Sequence, residues 1–253
     1  MKRLEHKVAV ITGASCGIGA GCALRFAQEG ADVVLVARRK DRLEENAQAC
    51  RAYGVRALAV AGDLTDPATA VRVFDETIQA FGRVDILVNN AGIADKHIPI
   101  TRCSNEWFDE VYRIDQAAVF YCAREALKYM EPAGRGSIVN ISSIGGVYGS
   151  AGISYSGAKA AVIGMTKNIA IQFAETDIRC NCVSPGPTPT ELNTPEKVAT
   201  FDTQFQQICQ KFINRDVPRT PVEDQVNAIL FLASDEAKGV NGQNLVVDHG
   251  RCL

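Results

Sequence analysis

The chain has 253 residues, a formal net charge of −2 at pH 7 and 22% charged residues, a balance that favours neither nucleic acid nor an anionic membrane as a partner. Hydrophobic residues make up 47% of it, enough to bury the core of one large α/β domain. It has no secretory leader pattern and no run approaching the roughly 20 apolar residues of a membrane span, so we expect a cytoplasmic protein.

Short apolar runs alternate with stretches of helical periodicity along the chain. Runs that are apolar on both faces and separated by helices predict a doubly wound parallel sheet of the Rossmann type, with helices on both faces, in one domain spanning residues 1–253. The predicted strands are residues 7–12, 31–37, 56–63, 84–92, 137–142, 178–184 and 243–248. The predicted helices are residues 17–30, 41–54, 65–82, 104–130, 155–175 and 222–234, with Pro132 expected to break the fourth of them.

Residues 187–221 are the irregular part of this pattern, because prolines stand there among polar and aromatic residues. Long insertions in compact domains are often functional, so we predict a substrate lid. Its apolar side chains favour an apolar substrate, although packing against the domain or another subunit is an equal alternative. These side chains are Leu192, Phe201, Phe205, Ile208, Phe212 and Ile213.

The nine cysteines are scattered, and no two of them form a Cys-x-x-Cys pair. This spacing argues against a disulfide framework and predicts no metal site. Cys180 and Cys182 alternate with apolar residues, as small core residues on one face of a strand do in a reducing compartment.

The stretch TGASCGIG, residues 12–19, joins the first predicted strand to the first helix. Gly13 permits a tight turn, Gly17 lets the backbone approach a pyrophosphate, and Gly19 allows close packing of the helix on the sheet. The helix N-terminus then offers free N–H groups to an anion. The alternative is a glycine-rich turn without a ligand, but the position after the first strand favours a phosphate cradle.

The end of the second strand carries Arg38 and Arg39 where an NAD-binding site would carry a carboxylate. Arginines can pair with the 2′-phosphate of NADP(H), so this turn favours NADP(H), with NAD(H) as the second option and a solvated basic turn as the alternative. Asp63, after the third strand, is predicted either to accept from an adenine amino group or to cap its own turn.

The stretch YSGAK places Tyr155 and Lys159 four residues apart, which is one turn of a helix. An ammonium close to a phenol stabilises the phenolate and lowers the pKa of the tyrosine from its usual value near 10. The pair can therefore exchange a proton with an alcohol or a ketone. The alternative is a tyrosine at the edge of the core beside a solvated lysine.

Four motifs in this order resemble the short-chain dehydrogenase/reductase family, in its single-domain branch of about 250 residues. They are the glycine motif at residues 12–19, Asn89-Asn90-Ala91-Gly92, Ser142-Ser143 with Tyr155-x-x-x-Lys159, and Pro185-Gly186. The resemblance covers the whole chain. It implies a seven-stranded parallel sheet, a nicotinamide cofactor and a homotetramer or homodimer.

The resemblance also implies residue roles. Tyr155 is the general acid or base, Lys159 holds the nicotinamide ribose, and one serine orients the substrate oxygen; Ser143 is favoured over Ser142. Cofactor contacts are implied for Gly13, Ser15, Cys16, Gly17, Ile18, Gly19, Arg38, Arg39, Asp63, Leu64, Asn89, Ala91, Gly92, Tyr155, Lys159, Pro185, Gly186 and Thr190, and less strongly for Thr188.

One position departs from the family pattern, because Asp115 stands where the family usually has an asparagine whose backbone carbonyl holds a water beside the lysine. Asp115 keeps that carbonyl, and we include it in the catalytic set, but its carboxylate would either add charge to a buried site or need a proton there. The leading hypothesis is an NADP(H)-dependent oxidoreductase that interconverts a secondary alcohol and a ketone. The alternative, suggested by Asp115, is a weakened dinucleotide-binding sensor or scaffold.

Overall fold

The computed structural model describes residues 2–253, so Met1 of the predicted domain lies outside the described part. Within it, seven parallel strands form one sheet in the order β3-β2-β1-β4-β5-β6-β7, which confirms the predicted doubly wound architecture. The strands are β1 (Val8–Thr12), β2 (Asp32–Ala37), β3 (Ala57–Ala61), β4 (Ile86–Asn89), β5 (Arg135–Ile141), β6 (Asp177–Pro185) and β7 (Asn244–Val247).

Helices cover both faces of the sheet. Phe26, Leu43 and Ile229 belong to the apolar core on one face, and Phe74 and Met130 belong to the core on the other. This two-sided burial explains why the strand sequences are apolar throughout rather than alternating. The helices are α1 (Gly17–Gln28), α2 (Lys40–Arg51), α3 (Pro67–Phe81), α4 (Asn105–Val111), α5 (Ala118–Ala133), α6 (Ile144–Tyr148), α7 (Ile153–Gln172), α8 (Pro195–Val198), α9 (Thr203–Cys209) and α10 (Val222–Ala233).

The third helix begins and ends as its sequence predicts. The Asp66 carboxylate accepts a hydrogen bond from the Ala68 amide at 2.9 Å, and Pro67 occupies the first helical position. Gly82 closes the helix with a left-handed φ of 75°.

The predicted helix over residues 104–130 is wrong in two respects. It is divided into α4 and α5 by a π-helical turn, Tyr112–Ala117, and α5 runs through Pro132 to Ala133. Proline has no N–H, so the carbonyl four residues earlier, that of Lys128, loses its helical hydrogen bond. The loss costs little free energy because Lys128 is exposed and the helix ends one residue after the proline. Gly134, with a φ of 65°, provides the actual stop.

Residues 187–221 contain α8, α9 and short 3₁₀ turns, and they run beside the carboxyl edge of the sheet. The Asp202 amide donates to the Lys96 carbonyl at 2.9 Å, and Asp202 forms an ion pair with Arg102 at 2.5 Å. These contacts join the segment to the loop that follows β4, so the predicted lid stands at the mouth of the site described below. Among the helices of residues 2–253, none combines the length and apolar character needed to cross a bilayer.

A chain of buried polar side chains links β4, β5 and α7 beneath the carboxyl edge. Asn89 Nδ2 donates to Asn140 Oδ1 at 2.9 Å, and Asn140 Nδ2 donates to Thr166 Oγ1 at 2.9 Å. All three side chains are buried. Buried amides need such partners, because an unpaired buried donor or acceptor costs free energy.

We predict that Asn140→Ala lowers the free energy of unfolding by about 2–3 kcal/mol, because it leaves Asn89 and Thr166 without their shared partner. Urea unfolding followed by circular dichroism measures this. Asn105→Ala at the exposed start of α4 is the control. Equal stability of the two variants would contradict the structural role of this chain.

Candidate active site

A cleft of about 860 Å³ lies at the carboxyl ends of the strands, where the strand order reverses between β1 and β4. In doubly wound sheets this is the position at which ligands bind. The loops after β1, β2, β3, β4, β5 and β6 line the cleft. Of the predicted site residues, it is lined by Gly13, Ser15, Cys16, Gly17, Ile18, Arg38, Arg39, Asp63, Leu64, Ala91, Gly92, Asp115, Ser142, Ser143, Tyr155, Lys159, Pro185, Gly186, Thr188 and Thr190.

The glycine turn has the form of a phosphate cradle. Gly13 and Gly17 have φ angles of 67° and 58°, which side-chain-bearing residues rarely adopt. A Cβ on Gly19 would lie 2.4 Å from the Gly13 carbonyl oxygen, so only glycine lets α1 approach the turn this closely. Gly19 therefore allows the helix to pack against the turn, and it does not line the cleft itself. Cys16 precedes α1 and makes no side-chain cap bond, so the cradle fits an anionic pyrophosphate.

Thr12 joins the glycine turn to the loop after β4. Its Oγ1 accepts from the amides of Asn90 and Ala91 at 2.9 and 3.0 Å, and Asn90 Nδ2 donates to the Thr12 carbonyl at 3.0 Å. Neither Thr12 nor Asn90 is among the predicted contacts, although both lie within the motifs.

The predicted cofactor contact of Asn89 is corrected. Its side chain is 2% exposed and points into the protein, because neighbouring strand residues face opposite sides.

The basic turn after β2 is partly occupied by contacts within the chain. Arg39 forms an ion pair with Glu191 at 2.9 Å and donates to Ser15 Oγ at 3.0 Å, and Arg42 also pairs with Glu191. Hydrogen bonds from Arg39 and Arg42 lower the pKa of Glu191 to about 2. Arg38 lines the cleft beside these groups.

Asp63 caps its own turn, which is one of its two predicted roles. Its Oδ1 accepts from the Thr65 amide at 3.0 Å and from the Thr65 hydroxyl at 2.9 Å. The backbone hydrogen bond from Thr65 lowers the pKa of Asp63, and the nearby charge of Arg38 contributes. The carboxylate also lines the cleft, so the adenine contact stays a prediction.

The two adjacent serines have different environments. Ser142 is buried, and its hydroxyl donates to the Lys159 carbonyl at 2.7 Å, which is a bond within the scaffold. Ser143 lines the cleft, accepts from the Gly145 amide at 3.1 Å, and acts on Tyr155 in the direction that lowers the pKa of its phenol. The geometry therefore favours Ser143 as the serine that reaches a substrate.

Tyr155 and Lys159 lie one turn apart on α7, with the ammonium nitrogen 5.6 Å from the centre of the phenol ring. Lys159 is buried, and its Nζ donates to the Ile141 carbonyl at 3.2 Å. Burial raises the pKa of Tyr155, contrary to the predicted lowering; the Lys159 ammonium opposes this rise, and the Asp115 carboxylate reinforces it.

Asp115 lies on the π-helical turn, fully buried, with Oδ1 3.1 Å from Lys159 Nζ. The Ile93 amide donates to the same oxygen at 3.3 Å. Burial raises the pKa of Asp115 against the opposing charge of Lys159, whereas the pKa of Lys159 is raised because Asp115 and Tyr155 outweigh its burial. Gly92 permits this approach, since a Cβ there would lie 2.5 Å from Asp115 Oδ1.

The two threonines after β6 differ in availability. Thr188 is buried, donates to the Gly186 carbonyl at 3.1 Å and accepts from Gln225 at 3.3 Å, so its hydroxyl is engaged by the protein. Thr190 is partly exposed and stands over the glycine turn, with its methyl carbon 3.2 Å from where a Gly17 Cβ would be. The greater availability of Thr190 agrees with the sequence-based preference for Thr190 over Thr188 as a cofactor contact.

The loop after β4 supplies a buried aspartate, Asp95, that the sequence did not single out. The Asp95 carboxylate accepts from the Gly152 amide at 2.7 Å, just before α7, and His97 lies 3.5 Å from it and 5.2 Å from the Phe201 ring. Asp95 therefore fixes this loop to the helix that carries Tyr155. Over residues 2–253, no group of three or more His, Cys, Asp or Glu side chains is arranged to hold a metal.

Known proteins are similar to this chain in sequence and in fold. A family model described as enoyl-(acyl carrier protein) reductase matches residues 13–251. Secoisolariciresinol dehydrogenase of Forsythia intermedia is 36% identical over 98% of this chain and 90% of its own length. Cis-4-hydroxycyclohexanecarboxylate dehydrogenase of Sinomonas cyclohexanicum is 40% identical over 97% and 96%. A short chain dehydrogenase from Mycobacterium paratuberculosis, solved bound to NAD, has a TM-score of 0.90 at 30% identity, covering 99% of each chain.

Proposed function

We propose that this chain, which belongs to the short-chain dehydrogenase/reductase family of NAD(P)-dependent oxidoreductases, interconverts a secondary alcohol and a ketone with NADP(H). The observation that carries the proposal is that Ser143, Tyr155 and Lys159 line one cleft, with Lys159 Nζ 5.6 Å from the centre of the Tyr155 ring. The phosphate cradle formed by Gly13 and Gly17 lines the same cleft, at the carboxyl edge of the sheet.

The side chains define the proton chemistry. NADP(H), when bound, supplies or accepts the hydride. In reduction, Tyr155 gives its proton to the carbonyl oxygen while the Ser143 hydroxyl holds that oxygen by a hydrogen bond. In oxidation, the Tyr155 phenolate takes the proton of the alcohol. Lys159 supports the phenolate electrostatically and would hold the nicotinamide ribose.

The preference for NADP(H) rests on the charge of the turn after β2. No carboxylate ends β2, and Arg38 lines the cleft there, so its guanidinium could pair with a 2′-phosphate. Arg39 is held by Glu191 and Ser15, which makes Arg38 the principal candidate. The NAD-bound relative keeps NAD(H) as the competing cofactor.

The substrate we infer is a small alcohol or ketone with an apolar body. Apolar side chains line the outer part of the cleft, including Ile93, Ile144, Leu192, Phe201 and Ile213. The Sinomonas relative is named for a hydroxyl carried on a cyclohexane ring, which agrees with such a body. Residues 187–221 would then cover it as a lid.

We further infer a homo-oligomer, either a tetramer or a dimer. A cavity of about 600 Å³ lies on the outer face of α5 and α7, and Phe120 in its wall is 48% exposed. Arg124, Lys128 and Glu131 surround it with both signs of charge, which suits a second copy of the same surface. Sedimentation of the purified chain measures the oligomeric state.

All nine cysteines are free, which supports a location in the reducing cytoplasm.

A sensor or scaffold without turnover is the less favoured candidate. Asp115 suggests it, but the relatives found are named dehydrogenases and reductases, and Ser143, Tyr155 and Lys159 are all in place. An inactive scaffold has no need for this set of side chains.

We predict that Tyr155→Phe lowers kcat for ketone reduction by a factor of about 10²–10⁴, because it removes the proton donor. Rates with NADPH over a panel of cyclic ketones measure this. NADPH binding, followed by fluorescence, should change little. Equal residual rates of the variant and the wild type on every ketone would reject the enzyme hypothesis.

The adjacent serines provide a second test. Ser143→Ala should lower kcat by a factor of about 10²–10³, the usual cost of removing one hydrogen-bond donor from a reacting oxygen. Ser142→Ala is the matched control and should act mainly on stability, since its hydroxyl bonds a backbone carbonyl. A larger loss of kcat in Ser142→Ala would transfer the role to Ser142.

Arg38→Ala should weaken NADPH binding by roughly 10- to 100-fold and leave NADH binding nearly unchanged, because the two cofactors differ only in the 2′-phosphate. Fluorescence titration with each cofactor measures the two dissociation constants. Lys40→Ala, two residues along, removes the same charge from α2 and serves as the control. Equal weakening of both cofactors would assign Arg38 another role.

A further inference from the structure

Asp115 and Lys159 form a buried pair directly behind the proposed proton donor. Their charged atoms are 3.1 Å apart, Asp115 is fully buried and Lys159 is 4% exposed. We propose that Asp115 is a positioning residue that neutralises Lys159, keeps Tyr155 in its phenol form at neutral pH, and thereby confines alcohol oxidation to alkaline pH. This inference rests on the proposed function, which makes Tyr155 the group that exchanges the proton.

The first step is the charge state of the pair. A buried ammonium without a counter-ion is costly, and so is a buried carboxylate, but the two together form a neutral unit. Asp115 Oδ1 also accepts from the Ile93 amide at 3.3 Å, a bond that favours the ionised form. Among residues 2–253, Oδ2 contacts no hydrogen-bond donor, so the Lys159 ammonium is the counter-ion that this carboxylate has.

The second step is the effect on Tyr155. The charged groups around it are Lys159 on its own helix, Asp115 on the π-helical turn and Asp95 on the loop after β4, and the neutral Ser143 on the loop after β5 lines the same cleft. Lys159 also faces Cys182 of β6. A single ammonium beside a phenol favours the phenolate, but a carboxylate behind that ammonium cancels much of this effect.

The direction of the effect agrees with this geometry. Burial raises the pKa of Tyr155, Lys159 opposes the rise, and both Asp115 and Asp95 add to it. Only the phenolate can act as the base for oxidation, so a higher pKa moves the rise of the oxidation rate to higher pH. The phenol is the acid for reduction, and a higher pKa keeps it protonated over a wider range of pH.

A different charge state would give a different result. If Asp115 were protonated at neutral pH, it would resemble an amide and contribute no charge to Tyr155. Asp115→Asn separates the two states, because the amide keeps the shape and the acceptor for Ile93 but removes the charge. It should then change the pH dependence only if the carboxylate is ionised.

The experiment compares the pH profile of kcat for alcohol oxidation in the wild type and in Asp115→Asn. We expect the rise to move about one pH unit lower in the variant, which raises kcat about tenfold at a pH below both midpoints. Asp95→Asn is the matched control: it removes a carboxylate from the same cleft that does not contact Lys159, so its shift should be smaller. An unshifted profile in Asp115→Asn overturns the proposal.

A second readout needs neither cofactor nor turnover. The ultraviolet difference spectrum between the protein and its Tyr155→Phe variant isolates the ionisation of Tyr155, measured over the pH range in which circular dichroism shows the fold. Its onset should lie about one pH unit lower in the Asp115→Asn background. Should Asp115→Asn not fold, Asp115→Ser removes the same charge with a smaller side chain.

The two readouts separate this inference from the proposed function. A lower onset without turnover on any alcohol or ketone would support the charge relation and reject the proposed function. Turnover together with an unchanged onset would reject the role of Asp115 and leave the oxidoreductase proposal intact.

Discussion

The parallel direction of the strands is the constraint on which the site depends. Because all seven strands run the same way, their carboxyl ends meet at one edge, and loops far apart in the chain become neighbours. The reversal of order between β1 and β4 opens a gap at that edge. Thr12 bridges the gap by accepting from the amides of Asn90 and Ala91, so the glycine turn and the loop after β4 are held in one arrangement.

The chemistry of the cleft is governed by burial acting on a few ionisable groups. Tyr155, Lys159 and Asp115 lie within one small region, and the pKa of Tyr155 responds to the charges of both Lys159 and Asp115. In our proposal, Asp115 acts by its charge rather than by contact with a substrate. The π-helical turn that carries it widens the helix at that point, a distortion often found at functional sites.

The sequence was sufficient for the sheet, most helices and the central pair Tyr155–Lys159, because these follow from hydrophobic periodicity and from helical spacing within a few residues. It failed for Asn89, whose orientation depends on where strand alternation begins. It also failed at the π-helical turn, which no local pattern marks. The pairing of Arg39 with Glu191 was out of reach for another reason: 152 positions separate the two residues, and only the folded chain brings them together.

The ion pairs of Glu191 give one contact across the cleft a dependence on ionic strength. Glu191 follows Thr190 near the start of the irregular segment, while its partners Arg39 and Arg42 lie after β2, near the glycine turn. All three side chains are between 43% and 48% exposed, so dissolved ions reach them. At physiological ionic strength such charges are screened over about 8 Å, and more salt weakens the pairing further. The contact between the irregular segment and the turn after β2 therefore weakens as the salt concentration rises, whereas the backbone hydrogen bond from Asp202 to Lys96 does not depend on charge.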